Sequence, residues 1–222
     1  MISPYAVCAS VPLAAPPAIL VVDDDPATLE VLPAILSRSF PHAEIEPCAS
    51  ARLAAAKLAD GHYDAAITDL MMPHFNGFAL LSHVLKARPC TPILLMTGEK
   101  EMEAVEQTFR YGAFDFVPKP LDRDRLTWSV NLAIKTHRLR RRIEERRLYV
   151  TQLREVMNRR WKKPLSQQTT SAVEPSRALI GATFDRAEAA VRQSEKLIER
   201  AERMLRRRQE QVQHDAWQRL KH

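Results

Sequence analysis

Five polar side chains stand at the ends of apolar, strand-like segments. Asp23 and Asp24 end the first such segment, and Asp69 ends the third. Thr97 ends the fourth, and Lys119 follows the fifth. In a parallel sheet of strand order 2-1-3-4-5 the first, third and fourth strands are neighbours, so these side chains converge at its carboxyl edge. Ligands bind at this edge, where the strand order reverses.

The chemistry that this group favours is phosphoryl transfer assisted by a divalent metal. Three carboxylates packed together repel one another, which raises their pKa values unless a cation lies between them. Mg²⁺ meets that need because it prefers a few carboxylates, a carbonyl oxygen and retained waters. With Lys119 alongside, Asp69 is placed to attack phosphorus and form an aspartyl phosphate. Thr97 is then placed to donate a hydrogen bond to the phosphate.

The segments that position these residues predict an α/β fold, with a doubly wound five-stranded parallel sheet covered by helices on both faces. Short apolar runs predict the strands at 18–22, 43–48, 64–68, 92–96 and 114–117. Helical spacing predicts helices at 26–39, 50–60, 78–87 and 101–111. We expect Asp25 to cap the first helix and Pro33 to bend it.

Beyond the fifth strand the pattern changes to long α-helices. No proline or glycine interrupts residues 122–163, which predicts an extended fifth helix with a coiled-coil seam. Residues 164–182 predict a linker, and residues 183–222 predict a basic C-terminal helix. The seams step by three and four residues along Leu132, Thr136, Leu139, Ile143, Arg146, Val150, Leu153 and Met157, then Phe184, Ala187, Val191, Ser194, Ile198, Ala201, Leu205, Arg208 and Val212. The second helix could pair with its twin, fold back on the first, or stay partly frayed.

The net charge of +6 conceals an acidic front and a basic rear. Residues 1–121 hold 8 Lys and Arg against 14 Asp and Glu, whereas residues 122–222 hold 25 against 13. A basic rear attracts nucleic acid, anionic lipid or acidic proteins, although most such charge is a solvated helix face. The 3 cysteines lack metal-ligand spacing, which favours a reduced cytoplasm, and no apolar run is long enough to span a membrane. We expect residues 1–17 to be a disordered leader rather than a signal peptide.

Four ordered motifs give the chain a family resemblance. Residues 18–135 resemble the receiver domain of bacterial two-component response regulators. The motifs are Val21-Val22-Asp23-Asp24-Asp25, Asp69-Leu70-Met71-Met72-Pro73 with Gly77, Met96-Thr97-Gly98, and Lys119-Pro120. The resemblance implies a flavodoxin-like sheet, and the helical, coiled-coil extension after residue 135 is not standard for it.

The resemblance implies a role for each acidic residue. Asp69 looks like the family's phosphoacceptor. Asp23 and Asp24 look like the acidic pair that binds Mg²⁺ together with Asp69. The backbone carbonyl of Met71 completes the set of protein ligands.

The remaining correspondences concern the phosphate and the signal. Lys119 looks like the phosphate-contacting lysine, and Thr97 looks like the switch hydroxyl. Phe116 falls on the switch aromatic, and although it has no hydroxyl it can still move between buried and exposed rotamers. The family usually has a cis peptide bond at the position of Lys119–Pro120.

The resemblance implies a cytoplasmic response regulator that receives a phosphoryl group on Asp69 from a sensor histidine kinase or phosphotransfer protein. The signal is expected to leave through the fourth helix, fifth strand, fifth helix and helical extension, toward a homodimer or a downstream protein. We expect that the chain is not an enzyme. A haloacid-dehalogenase-type phosphatase needs a second acid two residues beyond its nucleophile, and Met71 stands at that position. Two alternatives remain: a coiled-coil scaffold or adaptor that dimerises through the receiver domain, and nucleic-acid binding by the basic rear, which lacks a helix-turn-helix pattern. We expect no membrane partner.

Overall fold

A parallel sheet of five strands lies at the centre of the first structural unit. The computed structural model describes residues 15–60, 62–72, 80, 82, 91–98, 112–161 and 174–220. The strands are β1 (Ala18–Val22), β2 (Glu44–Cys48), β3 (Ala65–Asp69), β4 (Ile93–Thr97) and β5 (Asp115–Pro118). All neighbours pair in parallel, in the order β2-β1-β3-β4-β5. The predicted fold class and strand order are confirmed, and each strand boundary lies within one residue of its prediction.

The inner strands are buried on both faces because their aliphatic runs contain no polar alternation. Successive side chains of a strand point to opposite faces of the sheet. Ile19 and Val21 therefore join one buried cluster, while Leu20 and Val22 join the other. Such strands leave only their ends for polar groups, which is where the candidate site residues lie.

Two helices of the first unit follow the sequence prediction closely. They are α1 (Pro26–Ser39) and α2 (Ala51–Asp60). The side chain of Asp25 caps α1 by accepting hydrogen bonds from the backbone N–H groups of Ala27 and Thr28. Pro33 lies inside α1, and the bend expected there stays a prediction.

Other predicted segments lie outside the described residues. They are most of the leader and nearly all of the helices predicted at 78–87 and 101–111. Leu80 and Ser82 are described, and both are helical.

Two long helices follow the sheet, α3 (Arg123–Trp161) and α4 (Glu174–Leu220). The chain divides into two compact units, of which unit 1 comprises residues 1–141 and 205–222 and unit 2 comprises residues 142–204. Among the residues that the structure describes, no helix is both long and apolar enough to cross a membrane.

In unit 1 the first half of α3 covers one face of the sheet. Leu126, Val130 and Ala133 belong to the same buried cluster as the strand residues on that face. Arg138 also donates two hydrogen bonds to the buried Asp64 carboxylate, over 3.1 Å from Nε and 3.2 Å from Nη2. A third hydrogen bond runs from Arg138 to the Ala15 carbonyl. This side chain fixes α3 to the chain before β1 and before β3.

Unit 2 is a helical hairpin, which decides one of the open alternatives. Val150 of α3 clusters with Val191 and Ile198 of α4. The ion pairs Arg147–Glu202 and Arg154–Glu195 connect the two helices, and their opposite numbering shows that the helices run antiparallel. Within this unit α4 therefore folds back on α3 of the same chain.

The predicted seams are correct in part. Val191, Ile198, Leu205 and Val212 are buried at intervals of seven residues, as the α4 seam requires. Arg208 of that seam is exposed, as are Leu139 and Arg146 of the α3 seam and Ala187 of the α4 seam. An antiparallel pair of helices covers one stripe of each, and residues at the edge of the stripe keep their contact with water.

The boundary of the predicted linker needs correction. The linker was expected to reach residue 182, yet α4 begins at Glu174. Pro175 stands in the first turn, where proline is compatible with a helix because the N–H it lacks has no helical partner there. Gly181 lies within the helix, where glycine costs about 1 kcal/mol relative to alanine without ending the helix.

Candidate functional site

Three carboxylates meet at the carboxyl edge of the sheet. Val22 of β1 pairs with Thr68 of β3, so the residues that follow, Asp23 and Asp69, come to lie side by side. Each of Asp23, Asp24 and Asp69 offers a carboxylate oxygen, and the three oxygens lie within 4.8 Å of one another. Asp23 and Asp69 are buried, whereas Asp24 is exposed. The sequence prediction of an acidic cluster at this edge is therefore met by the geometry.

Lys119 brings a positive charge into the cluster. Its Nζ donates a hydrogen bond to Asp69 Oδ2 over 2.9 Å and lies 3.7 Å from Asp23 Oδ2. The backbone N–H of Lys119 donates to the Thr97 carbonyl, which holds the end of β5 against the end of β4. The Lys119–Pro120 peptide bond is cis, as the resemblance implied.

Asp23 occupies an unusual environment for a carboxylate. Its Oδ1 accepts a hydrogen bond from the backbone N–H of Asp25 over 2.9 Å. Its Oδ2 is buried and has no hydrogen-bond partner within the described part of the chain. Burial raises the pKa of Asp23, an effect that the Asp25 N–H and Lys119 oppose and that the negative charges of Asp69 and Asp24 reinforce. Three convergent carboxylates, one of them with a buried oxygen that has no hydrogen-bond partner among the described residues, offer the oxygen donors that Mg²⁺ prefers.

Of the two predicted switch residues, Thr97 lies at the end of β4 and Phe116 lies within β5. The hydroxyl of Thr97 is buried and donates to the Gly98 carbonyl over 3.2 Å. The ring of Phe116 is buried, and the Arg125 guanidinium carbon lies 5.2 Å from its centroid. Arg125 Nη2 also donates to the Phe116 carbonyl over 3.0 Å. Phe116 is therefore held by α3 as well as by the sheet.

Comparison with known proteins assigns this arrangement to a family. A family model described as the response regulator receiver domain matches residues 19–131, about half of the chain. The chain belongs to this family. The matched receiver domain contains all of the candidate site residues and the first turns of α3, whereas the rest of α3 and all of α4 lie outside the match.

Curated relatives and a solved structure resemble the same part. The DNA-binding transcriptional regulator NtrC of Rhizobium meliloti is 34% identical over 116 residues, which cover 52% of this chain and 24% of that protein. The regulatory protein AtoC of Escherichia coli is 34% identical over 127 residues, which cover 56% and 27%. A CheY-like receiver domain protein from Methanospirillum hungatei is 28% identical with a TM-score of 0.52, covering 55% of this chain and 97% of that one. The chain thus spans about a quarter of the length of these curated relatives.

Met71 was predicted from the sequence to belong to the site, whereas Arg125 was not. Met71 stands two residues beyond Asp69 with an exposed side chain, and the role of its carbonyl as a metal ligand stays a prediction. Arg125, which lies over Phe116, was not among the predicted site residues. Nothing in its local pattern distinguishes it from the other arginines of α3, since only the packing of α3 on β5 brings it to the ring.

Proposed function

We propose that this receiver domain accepts a phosphoryl group on Asp69 from a sensor histidine kinase or a phosphotransfer protein. The observation that carries the proposal is the carboxylate cluster of Asp23, Asp24 and Asp69 with Lys119 bound at 2.9 Å to the proposed nucleophile. A capping cluster or a surface ion pair does not need three convergent carboxylates, two of them buried. A phosphoryl acceptor does, because negative charge must be neutralised while the group is transferred.

The transfer is a displacement at phosphorus. An oxygen of the Asp69 carboxylate forms the new bond to phosphorus while the bond from phosphorus to the donor's imidazole nitrogen breaks. The electron pair of the broken bond stays on that nitrogen, which takes up a proton. Lys119 lies near enough to move its hydrogen bond from the Asp69 oxygen to an oxygen of the incoming group. The Thr97 hydroxyl, at the end of the neighbouring strand, is proposed as a second donor.

The proposal includes Mg²⁺ held by Asp23, Asp24 and Asp69, with the Met71 carbonyl as a further ligand. Two observations on the described residues support this ligand set: the three carboxylates converge, and the buried Oδ2 of Asp23 has no hydrogen-bond partner. When bound, the ion supplies positive charge to the phosphoryl oxygens in the transition state.

The proposed signal follows from a change of hydrogen-bond partners. Once Thr97 and Lys119 bind the phosphoryl group, the ends of β4 and β5 move with them, and Phe116 responds inside β5. Arg125 connects Phe116 to α3, so the change reaches the helical extension. Phosphorylation thus acts as a local change of charge that biases a two-state element.

The partners of the whole protein are part of the proposal. They are the phosphodonor, a second copy in a homodimer, and a downstream protein reached through the face that includes β5 and α3. The apolar positions of the α4 seam at Val191 and Ile198 are buried within the chain, so a homodimer has to use another surface. A cytoplasmic location completes the proposal.

The test is labelling with phosphoramidate in the presence of Mg²⁺, followed by intact mass spectrometry. We expect the wild-type chain to gain one phosphoryl group and the Asp69→Asn variant to gain none. Asp25→Asn is the matched control, because Asp25 lies next to the cluster yet caps α1, and asparagine caps nearly as well. Labelling of Asp69→Asn, or no labelling of the wild-type chain in Mg²⁺, contradicts the proposal.

A further inference from the structure

The last turns of α4 belong to unit 1 and pack on its receiver domain. We call residues 205–220 the docked segment. Val212 is 6% exposed and belongs to the same buried cluster as Phe114 and Leu132. Gln213 Nε2 donates a hydrogen bond to the Ala113 carbonyl over 3.0 Å.

The contacts of the docked segment share one helical face. Arg140 of α3 donates to the side chain of Gln209, and Gln209 lies three and four residues before Val212 and Gln213. Residues at this spacing are neighbours on a helix surface. Gln211, His214 and Asp215, on other faces, are exposed. Where its side chains are described, the segment therefore contacts the rest of unit 1 through one stripe.

A single short strand connects the docked segment to the phosphorylation site. The carbonyl that accepts from Gln213 lies two residues before β5 begins, and Lys119 follows directly after β5 ends. Leu95 and Thr97 of β4 pair with Phe116 and Pro118, so β5 responds along its length to a movement of β4. Phe114 and the four residues of β5 thus separate the two places.

The same surface is connected to the site through α3. Arg125 in the first turn binds the Phe116 carbonyl, and Arg140 of the same helix binds the docked segment. Both elements that form the docking surface are therefore elements that the proposed signal moves.

We propose that the docked segment is a ligand of the receiver domain's own surface, and that phosphorylation of Asp69 weakens its docking. This inference rests on the proposed function. The segment is docked in the arrangement in which Lys119 binds the free Asp69 carboxylate. A phosphoryl group takes Lys119 and Thr97 as partners, which shifts β5 and the carbonyl that Gln213 binds. The docked segment fits the unphosphorylated arrangement better, and the phosphoryl group fits the other. Each of these two ligands therefore lowers the affinity for the other by the same factor.

The described contacts of the docked segment combine a few apolar side chains with polar ones. Within the described residues the segment buries two apolar side chains, Leu205 and Val212, and three exposed arginines, Arg206 to Arg208, separate them. Couplings between two sites of a protein change affinity by about 5- to 150-fold, and we expect the docking equilibrium to shift by a factor in this range. Release uncovers the apolar stripe of the segment and the surface around Leu132.

Hydrogen–deuterium exchange of residues 205–220 tests the inference directly. With phosphoramidate and Mg²⁺ we expect their backbone amides to exchange about tenfold faster in the labelled chain, and no change in Asp69→Asn. Intact mass of the same sample reports the label. A labelled chain whose segment keeps or gains protection overturns the inference and leaves the proposed function standing. An unlabelled wild-type chain overturns both.

A matched pair of variants tests the coupling from the other end. Gln213→Glu turns the donor to the Ala113 carbonyl into a carboxylate, whereas Gln218→Glu makes the same change at an exposed position of the segment. Beryllium fluoride, a phosphoryl analogue, is the probe, with circular dichroism to show that both variants fold. In the presence of Mg²⁺ we expect Gln213→Glu to bind beryllium fluoride at least about fivefold more tightly than the wild type does. Gln218→Glu should bind it like the wild type. Equal affinities in the two variants overturn the inference.

Discussion

The carboxyl edge of the sheet and the helical hairpin of unit 2 hold their charges in opposite ways. At the edge, the carboxylates of Asp23, Asp24 and Asp69 converge, Lys119 pairs with two of them, and a buried oxygen of Asp23 has no hydrogen-bond partner among the described residues. In the hairpin, exposed arginines and glutamates form ion pairs between the helices, as in Arg154–Glu195, or along one helix, as in Arg192–Glu188. A cluster of like charges with too few counter-charges thus indicates a site of chemistry, whereas an exposed ion pair indicates only a surface contact.

Mutations in the two regions are expected to have different consequences. At the edge the groups repel one another, so removing one carboxylate harms the proposed chemistry and relieves repulsion in the fold. In the hairpin the exposed pairs contribute little, and stability resides in the few buried apolar residues. Four substitutions, each with a matched control, measure whether the two regions differ in this way.

The largest effect is expected from Asp23→Asn. The change removes one of the three carboxylates proposed to hold Mg²⁺, and we expect the rate of labelling by phosphoramidate to fall about a hundredfold at fixed Mg²⁺. Thermal stability without Mg²⁺ should hold or rise, because a buried carboxylate with a raised pKa is gone. Asp25→Asn is the control and should label like the wild type. A variant that labels normally shows that Asp23 is not part of the metal site.

In the hairpin the largest effect is expected from Ile198→Ala. Ile198 is 7% exposed, whereas its neighbour Leu197 is 59% exposed. Truncating the buried side chain should lower the free energy of unfolding of unit 2 by about 2 kcal/mol, and Leu197→Ala should change it little. Urea unfolding followed by circular dichroism measures both. Equal losses from the two variants mean that the hairpin does not bury the Ile198 side chain in solution.

Lys119→Met sharpens the comparison at the edge. The change leaves Asp69 and Asp23 without the cation that lies 2.9 and 3.7 Å away, and removes a proposed donor to the phosphoryl oxygens. We expect labelling at saturating Mg²⁺ to slow about tenfold. Lys135→Met, at an exposed position of α3, supplies the control. Equal rates in both variants show that Lys119 does not act in the transfer.

The smallest effect is expected from Glu195→Gln. It removes the charge that pairs with Arg154 across the hairpin, where both side chains keep contact with water. The free energy of unfolding should change by less than about 0.5 kcal/mol, as in Glu188→Gln, which breaks the exposed pair with Arg192. A loss above about 1 kcal/mol in Glu195→Gln alone shows that this pair is not a solvated surface contact.

The sheet and the acidic edge were predictable from sequence because both depend on local patterns. Apolar runs such as the one that forms Ile93–Thr97 show where the strands begin and end. Parallel pairing then brings the carboxyl ends of all strands to one edge of the sheet. The position of Asp69 at the end of such a run was therefore enough to place it beside Asp23. The seam of α4 was predictable for the same reason, since Val191 and Ile198 repeat at heptad spacing.

Contacts between distant parts of the chain were not predictable. Arg138 and Asp64 lie 74 residues apart, and Gln213 and Ala113 lie 100 residues apart. No local pattern distinguishes Gln213 from the other glutamines of α4, because its role comes from the direction in which the helix returns. The start of α4 at Glu174 was missed because Pro175 is compatible with the first turn of a helix and a single glycine, Gly181, does not end one.

One measurement tests the central claim most directly. Borohydride reduces an aspartyl phosphate to an alcohol, so a phosphorylated aspartate is converted to homoserine. After labelling with phosphoramidate and Mg²⁺, reduction and proteolysis, tandem mass spectrometry identifies the converted residue. We expect homoserine at position 69 and unmodified aspartate at positions 23 and 24. Homoserine at either of those positions, or at none of the three in a chain that carries the label, contradicts the claim.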